Sequence, residues 1–312
     1  MTPLILDKSM ILPQLSFEKL IPIIAEGFKD FHSGQAKVAS ITNIDVPEAR
    51  GEMHIKPGYM ASGDHICVKI ATCYYDNPTR GLPTRDGVLV LANRCNGRIE
   101  AILCDSGLIT DMRTAGASAV AVDALAQPNA KTLGLVGAGT QAYWHALAIM
   151  HVRPIKRILV WGRRTDKAKD LAERLAHETK VSVQSGSLNT VAACDIVVTA
   201  TPANSPILSD ERISPGAIIV AMGADAVGKR ELGPGILKQA SLVVADSLKQ
   251  CTSVGELQWP DAKSAQVAEL GAILAGFRKG RESATDIIVF DSTGVAFQDV
   301  VSASEVLRAS MR

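Results

Sequence analysis

The chain has 312 residues, of which 47% are hydrophobic and 21% charged, enough apolar content for one large or two medium globular domains. Its 33 basic and 32 acidic residues give a net charge of +1, which excludes the strongly basic surface expected of proteins that bind nucleic acid or anionic membranes. The six cysteines form no C-x-x-C pair and no zinc-ligand spacing, which predicts reduced thiols and no metal site. Without a secretory signal pattern or a membrane-length apolar run, the protein is predicted to be cytoplasmic.

The first 116 residues predict an α+β domain. Helical periodicity over Leu15–His32 is followed by short strand candidates between turn dipeptides such as Asn96-Gly97, which favours a mostly antiparallel sheet. Lys69 lies in the otherwise apolar run of residues 66–71, and an ionisable group in such a run is a candidate site residue. The alternative is that Lys69 alternates to a solvent-facing side of the strand.

A long helix is predicted over Thr110–Leu125, where the chain passes into the second domain. Arg113 near its start is another candidate site residue, and the alternative is a simple ion pair with Asp111. At the other end of the chain, Val295–Met311 has apolar residues at helical spacing. This tail is predicted to be a helix that packs back on the first domain.

From Lys131 onward, short β-branched runs alternate with helical stretches, the pattern of a doubly wound parallel sheet. The predicted strands are Thr132–Val136, Arg157–Trp161, Val181–Gln184, Ile196–Ala200, Ala217–Met222, Leu242–Ala245 and Asp286–Phe290. The predicted fold class is therefore α/β, with a Rossmann dinucleotide-binding domain over residues 117–293. The α+β domain would comprise residues 1–116 together with residues 294–312.

A dinucleotide fingerprint closes the first of these strands and opens a helix, which is the context that such a motif requires. It consists of Gly137, Ala138, Gly139, Thr140, Gln141 and Ala142. The glycines permit a tight turn and a close approach of the pyrophosphate, which binds the N–H groups at the helix N-terminus. The alternative is a purely structural turn between strand and helix.

The end of the second predicted strand indicates which dinucleotide is bound. Where NAD-binding domains carry an acidic residue, this chain has Arg163, Arg164 and Thr165. Two guanidinium groups and a hydroxyl suit a 2′-phosphate, because arginine binds phosphate through paired hydrogen bonds. NADP(H) is therefore the predicted cofactor, with NAD(H) possible, and the alternative is a pair of solvated surface arginines.

At these residues the chain resembles the ornithine cyclodeaminase/mu-crystallin family over nearly its whole length. The resembling segments are residues 68–70, 76–78, 81–84, 108–115, 137–142, 199–202, 223–232 and 291–294. The resemblance implies hydride exchange between a nicotinamide and the α-carbon of an amino or imino acid. It also implies a homodimer, in which the α+β domain binds substrate and forms the dimer interface.

The resemblance assigns roles to particular residues. Arg113 and Lys69 would bind the substrate carboxylate and orient it. Asp225, which follows the strand Ala217–Met222, would manage the proton of the imine nitrogen, and Lys69 is a further catalytic candidate. The residues implied to line the cofactor are Thr84, Thr201, Met222, Lys229 and Ser292. The shape of the substrate site would depend on His54, Lys56 and Thr293.

Two departures separate the chain from the cyclodeaminases of that family. His54 stands where they carry a glutamate for a distal ammonium group, and Lys37–Asn43 lacks their upstream arginine. Cyclodeaminases also recycle a bound NAD, whereas an arginine pair suits NADPH that is spent as a reductant.

The predicted function is accordingly an NADPH-dependent reductase of a small α-imino acid. Its substrate would be a cyclic ketimine, such as pyrroline-2-carboxylate or piperideine-2-carboxylate, or an acyclic imino acid. The alternatives are a cyclodeaminase-type ammonia-lyase with recycled NAD and a cofactor-dependent binding protein.

Overall fold

The computed structural model describes residues 2–311, with the backbone alone at position 211. The chain divides into two compact units: unit 1 comprises Met1–Arg113 and Val295–Arg312, and unit 2 comprises Thr114–Gly294. No helix among the described residues is long and apolar enough to cross a membrane.

Unit 1 is built on a seven-stranded sheet. Its elements are β1 (Leu4–Asp7), α1 (Lys8–Ile11), α2 (Phe17–His32), β2 (Ala36–Val38), β3 (Thr42–Val46), β4 (Gly51–Met60), β5 (His65–Tyr74), β6 (Arg85–Asn93), β7 (Ile99–Cys104) and the start of α3 (Leu108–Leu125). The strand order is β1-β7-β6-β5-β4-β2, and β3 also pairs with β4. All pairs are antiparallel except β1 with β7, so the predicted mostly antiparallel sheet is confirmed.

Unit 2 is built on an eight-stranded sheet whose strand pairs are all parallel. Its elements are β8 (Thr132–Val136), α4 (Thr140–Met150), β9 (Arg157–Trp161), α5 (Thr165–Thr179), β10 (Ser182–Ser185), α6 (Leu188–Ala192), β11 (Ile196–Thr199), β12 (Asn204–Leu208), β13 (Ile218–Ala221), β14 (Arg230–Leu232), α7 (Pro234–Gln239), β15 (Leu242–Ala245), α8 (Leu248–Val254), β16 (Val267–Glu269), α9 (Leu270–Leu274) and β17 (Ile288–Asp291). The order is β10-β9-β8-β11-β13-β17-β15-β16, and β12 pairs with β14 in a small separate sheet. The predicted α/β class is confirmed.

The C-terminal helix α10 (Ala296–Ser310) returns to unit 1, where it packs on α2, β4 and β5. Phe297 lies edge-on against Phe28, with ring centroids 5.0 Å apart. An added Cβ at Gly27 would lie 2.8 Å from the Phe297 ring, so α2 can approach α10 this closely only with glycine at that position. Helix α10 therefore covers one face of the unit 1 sheet, the face that carries Lys69.

The strands at the centre of the unit 2 sheet end in register. Val136 pairs with Thr199, Thr199 with Ala221, and Ala221 with Asp291. Because the strands are parallel, the segments that follow them all leave the same edge of the sheet, where ligands of such folds bind. The fingerprint, the Asp225 segment and the Ser292 segment leave this edge.

Candidate active site

The fingerprint turn has the geometry that the sequence predicts. Gly137 has a φ of 127°, and an added Cβ would lie 2.7 Å from the carbonyl oxygen of Ala200, so conformation and space both require glycine. Helix α4 begins at Thr140, and none of the described side chains caps it at Gly139. Ala142 is buried. An open helix N-terminus beside a glycine turn is a suitable binding site for a pyrophosphate.

The second strand end lies against this turn, because the Gly137 N–H donates to the carbonyl oxygen of Trp161 at 2.8 Å. Arg163, Arg164 and Thr165 follow, and all are exposed. Arg164 forms an ion pair with Asp166, 2.7 Å from Nη2 to Oδ2, that the sequence analysis did not anticipate. An exposed pair of this kind contributes little stability, so an incoming phosphate can replace the carboxylate.

In unit 1 the two predicted carboxylate-binding residues lie on either side of one buried acid. The Nζ of Lys69 donates to Oδ1 of Asp299 at 2.8 Å, and the Nε of Arg113 donates to the same oxygen at 2.9 Å. The side chains of Lys69, Arg113 and Asp299 are 3%, 5% and 1% exposed. Arg113 also donates to the Oε1 of Gln298 at 2.7 Å. Both alternatives are therefore wrong: Lys69 does not face solvent, and Asp111 pairs instead with Arg85.

The charges of this cluster shift one another's protonation. Burial lowers the pKa of Lys69 to about 7, and the neighbouring carboxylate of Asp299 opposes the shift. Burial by itself would raise the pKa of Asp299, but the charges of Arg113 and Lys69 outweigh it and lower that pKa. Asp105, the other nearby acid, accepts the N–H groups of Gly107 and Ile109 at the start of α3.

Two further predicted residues lie on the same face of the unit 1 sheet. Lys56 on β4 is directly opposite Lys69 on β5, and His54 is two residues away along the strand. The Nδ1 of His54 lies 2.7 Å from the Oδ1 of Asn43. Its Nε2 lies 3.5 Å from a carboxylate oxygen of Glu52, which shares this face. His54 stands where the cyclodeaminases carry a glutamate, and strand alternation brings the carboxylate of Glu52 beside it.

The segment after β13 carries Asp225, the predicted proton-handling group. Its side chain is half-exposed, and its Oδ1 accepts a hydrogen bond from the ammonium group of Lys229 at 2.6 Å. The structure thus pairs the predicted catalytic acid with a residue predicted to line the cofactor. Met222, at the base of the same segment, accepts a hydrogen bond from the Ser118 hydroxyl through its sulfur at 3.3 Å.

Three predicted hydroxyl residues of unit 2 are held by two buried acids. The N–H and hydroxyl of Thr201 both donate to Glu231 at 2.7 Å. The Ser292 hydroxyl donates to Asp246 at 2.7 Å, and the Thr293 N–H donates to the same oxygen at 2.9 Å.

None of the acids that hold these residues was predicted from sequence. Asp246 could have been predicted, because it directly follows the buried strand β15. Asp225 was predicted from a similar position, four residues after the end of β13. Glu231 and Asp299 lie inside an edge strand and a helix, where an acid alone indicates nothing. The predicted site residues of unit 1 are His54, Lys56, Lys69, Thr84 and Arg113, and all the others belong to unit 2. Thr84 is half-buried, and its carbonyl accepts the N–H of Tyr74 at 2.7 Å.

Comparison with known proteins gives a consistent result along the whole chain. The model of the ornithine cyclodeaminase/mu-crystallin family matches residues 1–311. An uncharacterised cyclodeaminase of Sinorhizobium fredii is 38% identical over 275 residues, which cover 86% of this chain and 83% of that protein. A Δ1-pyrroline-2-carboxylate reductase of Paracoccus denitrificans is 35% identical over 247 residues, 77% of this chain and 78% of that protein.

Two solved structures have closely similar folds. An archaeal alanine dehydrogenase dimer with bound NAD superposes with a TM-score of 0.93 at 29% identity, covering 100% of this chain and 97% of that one. The Δ1-pyrroline-2-carboxylate reductase of Thermococcus litoralis, in complex with NADH and L-proline, also gives 0.93 at 29% identity, covering 99% and 97%.

Proposed function

The chain belongs to the ornithine cyclodeaminase/mu-crystallin family, and we propose that it is an NADPH-dependent reductase of a small α-imino acid. Its relatives make the broader class plain: it is an NAD(P)-dependent oxidoreductase that acts on a carbon–nitrogen bond. The observation that carries the narrower proposal is the buried cluster in which Lys69 and Arg113 share the carboxylate of Asp299.

This cluster supports a carboxylate-binding role for Lys69 and Arg113, which we call the carboxylate clamp. An ammonium group has three donors and a guanidinium five, and Asp299 with Gln298 occupies only part of them. Buried donors are normally satisfied, so the remaining ones favour an anionic ligand. The α-carboxylate of an imino acid has the charge and the geometry to bind there, which would fix its α-carbon for reaction.

The residues of unit 2 fit a nicotinamide dinucleotide. The positive φ of Gly137 and the uncapped start of α4 suit a pyrophosphate, and Arg163 and Arg164 suit a 2′-phosphate. When bound, this cofactor supplies the hydride. The protein's part is to hold the imino acid, to exclude water and to control the proton at nitrogen.

Asp225 is the proposed proton-handling group. An imine accepts hydride well only when it is protonated, so a carboxylate beside the nitrogen stabilises the iminium electrostatically. It can afterwards pass a proton to the product amine. The hydrogen bond from Lys229 at 2.6 Å supports a fixed orientation for this half-exposed carboxylate.

A substrate panel tests the reaction directly. Cyclic ketimino acids, and 2-oxoacids supplied with ammonia, should consume NADPH, measured as loss of absorbance at 340 nm. Asp225→Asn keeps the shape and removes the charge, so turnover should fall roughly a hundred- to ten-thousandfold while the cofactor still binds. Asp170→Asn, which breaks an exposed ion pair with Lys167, is the matched control. Full activity of folded Asp225→Asn would remove Asp225 from the mechanism.

The cofactor preference has its own test. Replacing Arg163 and Arg164 with alanine should weaken NADPH binding on the order of a hundredfold and leave NADH binding nearly unchanged. Arg278→Ala, an exposed arginine elsewhere in unit 2, controls for the loss of surface charge. A wild-type enzyme that prefers NADH, or a double variant that loses both cofactors equally, contradicts the proposal.

A cyclodeaminase is the second candidate function, and one observation favours it. Glu52 lies beside His54 on the face of the unit 1 sheet that carries Lys69, so a carboxylate is available for a distal ammonium group. A lyase of this kind would release ammonia from a diamino acid without net consumption of nicotinamide. Two results together would favour this alternative. The enzyme would release ammonia from ornithine in a reaction that Glu52→Gln abolishes, and it would oxidise NADPH with none of the imino acids.

We also propose that the protein is a homodimer that pairs through the other face of the unit 1 sheet. The apolar side chains on that face are all partly exposed: Met53, Ile55, Tyr59, Ile66, Val68, Ile70, Val88, Val90 and Ile102. A contiguous apolar surface of this kind is typical of an interface between subunits. Light scattering on Val68→Asp should show a monomer where wild type shows a dimer.

A further inference from the structure

We infer that Gln258 is a positioning residue for Asp225: its side-chain amide fixes the turn of residues 225–229, which we call the Asp225 turn. This inference rests on the proposed role of Asp225 in proton transfer. Gln258 has no part in the predicted site, and it acts through the turn rather than through the substrate.

One side chain binds three backbone groups of the Asp225 turn. The Oε1 of Gln258 accepts the Gly228 N–H at 2.9 Å, and its Nε2 lies 3.3 Å from the carbonyl oxygens of both Ala226 and Lys229. The indole N–H of Trp259 donates to the Lys229 carbonyl as well, at 3.3 Å. The backbone between Asp225 and Lys229, and the carbonyl of Lys229 itself, are thereby held.

Apolar burial and backbone conformation do little to fix the turn. Its internal backbone bond runs from the Lys229 N–H to the Ala226 carbonyl at 3.2 Å. Val227 is 81% exposed, and Gly228 has a φ of +81°, so neither apolar burial nor an ordinary backbone conformation restrains this segment. A loop with so few buried contacts opens easily unless hydrogen bonds hold it. The Gln258 amide supplies those bonds.

Gln258 itself is held by the centre of the unit 2 sheet. Asp291, the last residue of β17, accepts the N–H groups of Glu256 and Leu257 at 3.0 Å each. The Nε2 of Gln258 also donates to the carbonyl of Gly255 at 2.9 Å. The backbone that leads into Gln258 is therefore anchored to a buried strand end, and the amide itself is bonded to that same segment.

The same segment holds the other end of the Asp225 region. Glu256 accepts the Glu231 N–H at 2.6 Å, and Glu231 accepts the Gly223 N–H at 2.7 Å. Asp225 thus lies between two anchored segments, Gly223 and residues 226–229, and both depend on residues 256–258. Removal of the Gln258 amide releases the second anchor and leaves the first in place.

The test is a double-mutant cycle between Gln258 and Asp225. Gln258→Met keeps the side-chain volume and removes every hydrogen bond. We expect kcat for the imino acid to fall roughly ten- to hundredfold, because misplacement of a reacting group costs orientation, while the Kd for NADPH stays within about twofold. In the Asp225→Asn background the same substitution should change kcat by less than about twofold.

Two further variants complete the design. Gln239→Met removes a comparable exposed amide, which donates to Asp210, and should leave kcat unchanged. Trp259→Phe removes only the indole donor and should lower kcat slightly in the same direction, so the inference stays testable if Gln258→Met does not fold.

The outcomes separate the two proposals. An equal loss in both backgrounds, or an unchanged kcat in Gln258→Met, overturns the role of Gln258 and leaves the proposed function standing. Full activity of Asp225→Asn overturns the proton-transfer role of Asp225 and this inference with it.

Discussion

The two units differ in how they bury charge. In unit 1, Asp105 accepts backbone N–H groups, but Lys69 and Arg113 face the carboxylate of Asp299, so that in this cluster charge is balanced by charge. In unit 2 four acids are buried near the carboxyl ends of the parallel strands, and their oxygens accept mostly backbone N–H and hydroxyl donors: Glu231, Glu256, Asp246 and Asp291.

The difference indicates different roles. A carboxylate that accepts backbone N–H groups fixes the position of the chain, which is what the loops around a cofactor require. An ion pair between long side chains leaves donors available, so it can admit a second carboxylate without rearranging the backbone. In the proposed function, unit 1 therefore supplies the group that binds substrate, and the buried acids of unit 2 hold the loops in position.

The largest expected effect comes from breaking the binding group. Arg113→Met and Lys69→Met should each lower kcat/KM for the imino acid on the order of a hundredfold or more, through lost orientation and lost binding. The Kd for NADPH should remain unchanged. Near-normal kinetics in either folded variant, measured on the best substrate, would exclude that residue from the clamp.

Asp299→Asn tests how charge is balanced in unit 1, because it removes the shared carboxylate and keeps the side chains of Lys69 and Arg113. Burial lowers the pKa of Lys69 to about 7, and Asp299 opposes that shift. Wild-type kcat/KM should therefore decline as pH rises through about 7, where Lys69 loses its charge, and the decline should begin at lower pH in Asp299→Asn. We expect a loss of roughly tenfold at pH 7.5.

The control for this variant is Glu305→Gln, which breaks an ion pair with Arg308 on the same helix. An Asp299→Asn enzyme with the wild-type pH profile would show that Asp299 contributes only to packing.

The smallest expected effect concerns the buried acids of unit 2 and is a change in the pH dependence of thermal stability. Burial raises the pKa of Glu256 to about 8 and that of Asp291 to about 7. The folded state therefore retains protons that the unfolded chain releases, so this stabilisation is complete only below the ordinary carboxyl pKa of about 4 and is lost progressively as pH rises from there to about 8.

Glu256→Gln removes the Glu256 contribution to this pH dependence. The Tm of Glu256→Gln minus the Tm of wild type should be roughly 2–5 °C larger at pH 9 than at pH 6. Comparison with wild type cancels the opposite contribution of Lys69, whose lowered pKa makes stability rise with pH. A Tm difference between the two proteins that is constant across this pH range contradicts a raised pKa of Glu256.

Local sequence determined most of the unit 2 sheet. The strands Thr132–Val136, Arg157–Trp161 and Leu242–Ala245 have the same bounds in the sequence analysis and in the structure. Strands covered on both faces are continuous apolar runs, and such runs are visible in sequence. The short strands were missed: β16 has three residues, and β12 contains Pro206, which disfavours a strand.

The candidate site residues also came from sequence, through the dinucleotide motif, an ionisable residue in an apolar run, or the family resemblance. Their partners did not. Asp299 is 230 positions from Lys69 and 186 from Arg113, and Gln258 is 30 positions from Gly228. No local pattern links residues so far apart, since only the return of α10 to unit 1 and the register of the parallel strands bring them together. The sequence thus determined which polar groups are candidates for the chemistry, and the tertiary structure decided which partners hold them in place.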